Sequence, residues 1–86
     1  MNFGEALECL KAGKRVSRTG WNGKNQFIFL IKGTDLQGTL GYGYGEYLGE
    51  PTIVDVLAIK TTSNQIQIGW IASQTDMLSE DWEVVE

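Results

Sequence analysis

The sequence reads Gln26-Phe27-Ile28-Phe29-Leu30-Ile31-Lys32 at its most apolar point, and this stretch decides the fold. Five consecutive residues drawn from Phe, Ile and Leu, followed directly by Lys32-Gly33, predict a β-strand. A strand that is apolar at every position is typical of a central strand covered on both faces. The run is too short to cross a bilayer, which takes about 20 apolar residues. We therefore expect a sheet to be built outward from this strand.

The residues on the N-terminal side of this strand predict one helix and one further strand. Asn2 and Glu5 have the spacing of a capping box, and apolar residues follow at helical intervals up to a glycine, so we expect a helix over residues 3–12. A brief strand is expected over residues 14–18. Residues 19–25 then form a turn, because the Asn-Gly pair within them is a strong hairpin signal.

The C-terminal half predicts the rest of the sheet. Ser73 and Asp76 repeat the capping spacing and predict a short helix that ends at Leu78. The strands expected in this half cover residues 53–61, 65–71 and 81–85. The sequence thus predicts a single α+β domain over residues 1–86, a small antiparallel sheet with two short helices.

A polar, glycine-rich connection occupies residues 33–52. Its centre, Gly41-Tyr42-Gly43-Tyr44-Gly45, lacks the sixth-position glycine of a dinucleotide-binding fingerprint. So long a connection in so small a domain is usually functional or buried in an assembly. Alternating Gly and Tyr favours a packing or interface loop, and a lid formed by Tyr42, Tyr44 and Tyr47 is the alternative.

Composition and charge exclude several classes of function. The 86 residues include 7 basic and 11 acidic side chains, a net charge of −4, so the protein is not expected to bind DNA. The acidic residues Glu80, Asp81, Glu83 and Glu86 are expected to be solvated. The first 32 residues carry a net charge of +4, which suits one small anionic ligand. With no signal peptide or membrane span in the sequence, we expect a cytoplasmic protein.

The rare residue types exclude further chemistry. The sequence has no histidine, which excludes histidine-dependent nucleophilic catalysis and histidine metal sites. Cys9 is the single cysteine, so it cannot form an internal disulfide, and we expect no metal or cofactor. We expect Cys9 to lie in the core or at its boundary. Because neither disulfide nor metal supplements the small core, we also expect the chain to self-associate.

The predicted turn contains a tryptophan, an unusual place for a large apolar side chain. The ring of Trp21 offers a flat face to a nucleobase. Arg18 and Lys24 flank it with charges suited to phosphates, and Asn22 offers a donor and an acceptor to a base or ribose edge. The alternative is that Trp21 folds back over the sheet.

A second candidate wall lies around the C-terminal helix. Its candidate contacts are Trp70, Ser73, Gln74, Thr75, Asp76 and Met77. The backbone N–H groups and dipole at a helix start favour an anion. Asp76 can accept from a ribose hydroxyl or a base amine, and helix capping is its alternative role. We expect the following Trp82 to be a core residue. Together these features favour a nucleotide pocket over a catalytic site.

Several blocks of the sequence together resemble one known family. They read Phe3-x-x-Ala6-Leu7, Gly13-Lys14-x-Val16-x-Arg18-x-Gly20-Trp21-Asn22-Gly23-Lys24 and Trp70-x-Ala72-Ser73-Gln74-Thr75-Asp76-Met77-Leu78, with Asp81-Trp82 beyond them. This combination is similar to the phage-encoded Thoeris anti-defence family of the second type. The resemblance covers residues 2–33 and 68–86, and the middle of the chain adds nothing to it.

The resemblance implies a protein that sequesters a signalling nucleotide without cleaving it. Members of the family bind glycocyclic ADP-ribose made by a bacterial TIR-domain enzyme, so that a NAD-consuming effector is never switched on. Some relatives also capture cyclic oligonucleotides at a separate site. The resemblance further implies a homo-oligomer, a tetramer rather than a dimer, with pockets between subunits, acting in the cytoplasm of the infected bacterium.

The resemblance also implies roles for individual residues. Trp21 would stack on the base, with Asn22 and Lys24 lining the mouth of the pocket. Trp70 would form the opposite wall, and residues 73–77 would hold the phosphate and ribose.

Two other classes of function stay open. An enzyme that degrades the same nucleotide would use Asp76 and a neighbouring carboxylate, and the absence of histidine counts against it. A protein-interaction module would contact a host protein through the Gly-Tyr loop and the acidic C-terminal half.

Overall fold

Five short strands form one antiparallel sheet in the computed structural model of the chain. The structure describes residues 1–21, 25–39 and 52–85, without the side chains of residues 37–39. The strands are β1 (Arg15–Arg18), β2 (Phe27–Ile31), β3 (Val56–Lys60), β4 (Ile66–Ile68) and β5 (Trp82–Val85). Their order across the sheet is β4-β3-β2-β1-β5, so β2 is the central strand, as predicted.

The described residues include three short helices, one more than predicted. α1 (Phe3–Lys11) and α3 (Gln74–Leu78) confirm the two helices expected from capping boxes, and both boxes are formed. α2 (Gly33–Thr39) lies at the start of the glycine-rich connection over residues 33–52, where no helix was predicted. This helix begins at a glycine with no capping side chain before it, so its sequence carries no start signal. None of the described helices is both long and apolar enough to span a membrane.

The strands on either side of the 62–64 turn are shorter than predicted, for local reasons. The side chain of Asp55 accepts the backbone N–H of Gly33 at 2.9 Å, so the chain just before β3 is directed toward α2 instead of pairing in the sheet. Gly69 has a φ of 98°, and its N–H and that of Trp70 both donate to the carbonyl of Leu57, so the regular ladder with β3 ends directly after β4. The predicted strands over 53–61 and 65–71 therefore shrink to β3 and β4.

The core lies between α1 and the inner face of the sheet. Its buried members, each at most 7% exposed, are Ala6, Leu10, Val16, Ile28, Ile59 and Trp82. The assignment of Trp82 to the core is therefore confirmed. Cys9 is half-buried at the core boundary, as expected, with its Sγ 3.8 Å from Met1 Sδ.

The opposite side of the sheet, here called the outer face, is also apolar. Strand alternation places on it Phe27, Phe29, Ile31, Val56, Ala58, Ile66 and Ile68. Ile66 and Ile68 are 61% and 56% exposed. On this face the side chains of β2 are half-buried and Ala58 is fully buried, so coverage of β2 on both faces stays a prediction.

Gly33 is the position where α2 meets the chain before β3, and it leaves no room for a side chain. A Cβ here would collide with the carbonyl oxygen of Ile53 and lie 2.8 Å from the carbonyl carbon of Val54. Backbone atoms cannot swing aside as a flexible side chain can. We therefore expect Gly33→Ala to lower the free energy of unfolding by about 1–3 kcal/mol, measured by chemical denaturation.

The matched control is Gly4→Ala, in α1. A Cβ at this position meets Asn2 Oδ1 at 3.4 Å, an ordinary contact. Alanine is favoured over glycine inside a helix by about 1 kcal/mol, so this variant is expected to be as stable as the wild type or more stable. Equal losses in both variants would contradict the close approach at Gly33.

Candidate functional site

Three tryptophans from separate parts of the chain meet beside α1. Trp82 is 2% exposed, and its ring centroid lies 5.4 Å from that of Trp21 and 6.3 Å from that of Trp70, both in edge contact. The rings of Trp21 and Trp70 also meet edge-on, with centroids 6.3 Å apart. Both are only half-buried. The structure thus brings together the two tryptophans that the sequence assigned to one site.

Trp21 lies back against the core instead of extending into solvent. Its indole Nε1–H donates to Asp76 Oδ1 at 3.3 Å, and its backbone N–H donates to the carbonyl of Arg18 at 3.2 Å. This placement matches the alternative in which Trp21 folds back over the sheet. Its half-exposed ring still leaves apolar surface accessible, and base stacking on it stays a prediction.

Arg18 lies between two carboxylates at the end of β1. Its Nη1 donates to Asp76 Oδ1 and its Nε to Asp81 Oδ1, each at 2.8 Å. The side chains of Arg18 and Asp76 are 14% and 13% exposed, and that of Asp81 is 31% exposed. We call these three residues the Arg18 cluster. One guanidinium and two carboxylates give it a net charge of −1.

The Arg18 cluster bears on the role expected for Arg18 as a partner of ligand phosphate. Hydrogen bonds to Asp81 and Asp76 raise the pKa of Arg18 above its ordinary value, so its positive charge is directed to groups within the chain. A cluster that is negative overall favours hydroxyl or amine donors over a phosphate. The phosphate role of Arg18 therefore stays a prediction that this geometry does not favour.

Asp76 accepts three hydrogen bonds through its carboxylate. Besides the two donors at its Oδ1, its Oδ2 accepts the backbone N–H of Ser73 at 3.1 Å, so the capping role is confirmed. Burial raises the pKa of Asp76, but hydrogen bonds from Arg18, Ser73 and Trp21 outweigh burial, and the pKa lies below the ordinary 3.8. Asp76 is therefore ionised at neutral pH, with both oxygens engaged.

Asp81 fastens the turn that follows β1, a role that sequence reasoning missed. Its Oδ2 accepts the backbone N–H of Gly20 at 2.8 Å and the hydroxyl of Thr19 at 3.4 Å. The hydrogen bond from Arg18 lowers the pKa of Asp81. The expectation that Asp81 is simply solvated was wrong. Its partners lie about 60 positions away, so no local pattern marked them.

The other expected contacts lie at the surface of α3 or outside the described residues. The side chains of Ser73, Gln74, Thr75 and Met77 are exposed. The Asp76 carboxylate already lies at the start of α3, and an anion there stays a prediction. Asn22 and Lys24, like Tyr42, Tyr44 and Tyr47 of the Gly-Tyr loop, lie outside the described residues.

A cavity of about 390 Å³ lies away from the tryptophans, at the C-terminal end of α1. Its lining residues are Lys11, Ala12, Gly13, Leu30, Ile31, Lys32 and Asp35. The tryptophan cluster contacts the other end of α1, where the Phe3 ring lies 5.5 Å from that of Trp82. We place the candidate site at the tryptophans, because aromatic surface and charged groups converge there. In the described ranges, no group of three or more His, Cys, Asp or Glu side chains could hold a metal ion.

The low pKa values of Asp76 and Asp81 make the fold sensitive to acid. Since both carboxyls titrate below their ordinary 3.8 when folded, their contribution to stability is present above about pH 4 and is lost as the pH falls below it. We expect the melting temperature, followed by circular dichroism, to fall steeply below pH 4.

The same titration in Asp76→Asn separates this effect from general acid denaturation. Removing one member of a buried pair costs about 3 kcal/mol, so the variant starts at a lower melting temperature and loses less on acidification. The control is Glu8→Gln, since Glu8 pairs with Lys11 at 3.7 Å on the exposed side of α1 and should not change the profile. Parallel acid profiles for Asp76→Asn and the wild type would contradict the assignment.

Comparison with known proteins tests the resemblance found in the sequence. A family model described as a Thoeris anti-defense 2-like domain (Tad2-like) matches residues 1–85. Thoeris anti-defense 2 of Bacillus phage SP01 is 52% identical over 85 residues, which make up 99% of this chain and 94% of that protein. The match includes the middle of the chain, which had added nothing to the resemblance. The chain belongs to the Tad2-like family of Thoeris anti-defense 2-like domains.

Proposed function

We propose that the protein counteracts Thoeris defence by binding a cyclic ADP-ribose-type nucleotide and holding it intact. Family membership supports the role against Thoeris. The observation that carries the binding site is the pair of half-buried tryptophans, Trp21 and Trp70, held in contact beside an ionised carboxylate. Aromatic rings offer stacking surface to a base, worth about 1–3 kcal/mol per base.

The state of Asp76 favours sequestration over cleavage. A general acid or base works best when its pKa lies near the working pH, whereas the pKa of Asp76 lies below 3.8. Both of its oxygens accept hydrogen bonds from within the chain. The other carboxylate of the site, Asp81, is occupied in the same way by Arg18 and Gly20. These contacts disfavour the degrading enzyme that the sequence left open.

The charge of the Arg18 cluster suggests how glycocyclic ADP-ribose lies in the site. The base stacks on the accessible surface of Trp21 or Trp70. The phosphates point away from the Arg18 cluster, because its net negative charge repels them. Lys24, which the sequence assigned to the ligand, is the first cation after Trp21 in the sequence, whereas Arg18 is the last cation before it. The protein binds this ligand without a cofactor.

We also propose that the protein assembles from copies of itself, first through the outer face. This face has an apolar centre and a charged rim, the usual anatomy of an interface. Arg15 and Lys60 lie 5.0 and 5.9 Å from the Phe27 ring, and strand alternation places the exposed Glu83 on the same face. A second copy offers each of these charges an opposite partner and buries Ile68.

A second apolar patch supports a tetramer over a dimer. Ile71 and Leu78, before and within α3, are 87% and 78% exposed. A closed tetramer with two-fold symmetry needs two different self-complementary interfaces, and the outer face and this patch supply one each. The patch adjoins Trp70, so this assembly also places the candidate site beside a neighbouring subunit.

The first test asks whether bound nucleotide is recovered intact. The protein is mixed with glycocyclic ADP-ribose, freed of unbound ligand and heat-denatured, and the released material is analysed by mass spectrometry. Intact ligand in amounts near the number of sites is the expected result. Altered ligand would support the degrading enzyme instead, and no retained ligand would favour the protein-interaction module.

Variants in the same assay test where the ligand binds. Trp21→Ala and Trp70→Ala each remove stacking surface and are expected to weaken binding about tenfold or more. Lys11→Ala and Lys32→Ala, in the cavity at the other end of α1, are the controls and should retain the ligand. If instead the lysine variants lost the ligand and the tryptophan variants retained it, the site would lie in that cavity.

The assembly makes a separate prediction, measured as molar mass by light scattering. The wild type is expected at four times the 9.5 kDa of one chain. Ile68→Lys and Leu78→Lys each place a charge in one interface and should give dimers, and the double variant should give monomers. Glu8→Lys, on the exposed side of α1, should leave the mass unchanged. A monomeric wild type, or a tetramer that survives both substitutions, would contradict these interfaces.

A further inference from the structure

The indole of Trp21 is attached to the rest of the site through one polar contact. Its Nε1–H donates to Asp76 Oδ1, the same oxygen that accepts from Arg18 Nη1. Trp70, its neighbour, makes no hydrogen bond through its indole nitrogen to any residue in the described ranges. The two candidate stacking rings therefore differ: both pack against Trp82, but only Trp21 is also tied to a charged group in the described ranges.

Asp76 is the fixed end of this contact and Trp21 the adjustable end. The carboxylate is held by Arg18 and by the N–H of Ser73, the second of which belongs to the capping box of α3. Trp21 lies beyond the end of β1, and the hydrogen bond of its backbone to Arg18 fixes its main chain and not its ring. The orientation of the ring thus depends on its neighbours and on Asp76.

We propose that Asp76, held by Arg18, is a positioning residue that acts on the ligand through the Trp21 ring and not by contact with the ligand. This inference rests on the proposed function. A ring already held in its binding orientation loses less conformational freedom when a base stacks on it, so affinity rises without a new contact. It also gives Arg18 and Asp76 a different role from the direct contacts that the sequence indicated.

A double-mutant cycle distinguishes an indirect role from direct contact. Affinity for glycocyclic ADP-ribose is measured by calorimetry for the wild type, Asp76→Ala, Trp21→Phe and the double variant. We expect Asp76→Ala to weaken binding about tenfold in the wild type, the size expected for one lost hydrogen bond to a charged group. In the Trp21→Phe background it should have almost no further effect. The same loss in both backgrounds would mean direct contact and overturn the inference.

Asp55→Ala is the control for a merely structural role. It removes a carboxylate that accepts the backbone N–H of Gly33 at the start of α2 and that touches neither Trp21 nor α3 through the contacts described. It should lower the melting temperature and leave the affinity within about twofold of the wild type, a change below what one lost hydrogen bond produces. An affinity loss equal to that of Asp76→Ala would overturn the positioning role.

A readout without ligand separates this inference from the proposed function. The indole N–H resonance of Trp21, observed by ¹⁵N NMR, should shift in Asp76→Ala and stay in place in Asp55→Ala. If Asp76→Ala does not fold, Asp76→Asn replaces it in both experiments; its amide oxygen still accepts from Trp21 but without the charge, so a smaller effect of the same kind is expected. Trp70→Phe is the aromatic control, with a smaller loss than Trp21→Phe. If the wild type binds no nucleotide, the proposed function itself is wrong. If it binds and the cycle is additive, only the positioning inference is wrong.

Discussion

The ion pairs of Arg18 with Asp76 and Asp81 are the interaction on which both the fold and the candidate site depend. They join the end of β1 to α3 and to the residue before β5, and so add side-chain contacts to the backbone pairing of β1 with β5. A guanidinium that is 14% exposed cannot be left without partners, because an unpaired buried charge is strongly destabilising. Since the same bonds hold Asp76 against Trp21, the forces that stabilise the fold also define the site.

The features that could be predicted from the sequence are those set by residues a few positions apart. Both capping boxes place their two side chains three positions apart, and both formed as expected. Gly13, with a φ of 87°, ends α1 where a glycine was expected to end it. The apolar run of β2 predicted the centre of the sheet, because a strand that is apolar at every position is typical of a central strand.

The features that could not be predicted depend on contacts between distant residues. Arg18 was expected to bind a ligand and Asp81 to be solvated, since no residue close to either of them in the sequence indicates a partner 63 positions away. The lengths of β3 and β4 depend on the bond from Gly33 to Asp55 and on the turn at Gly69. The three tryptophans were each visible in the sequence, but their edge-on contacts depend on the tertiary fold, since β4, which precedes Trp70, and β5, which holds Trp82, lie at opposite edges of the sheet.

The pairing of β1 with β5 also governs when the protein becomes able to bind during its synthesis. Arg15 pairs with Val85, and the partners of Arg18 lie 58 and 63 positions further along the chain. At about 5–20 residues per second, a ribosome takes about 3–12 s to make that interval. Until then α1 and β1 exist without the residues that complete the core and the site. The protein therefore becomes able to bind only in a single late step of its synthesis, and a partly made chain cannot compete for ligand.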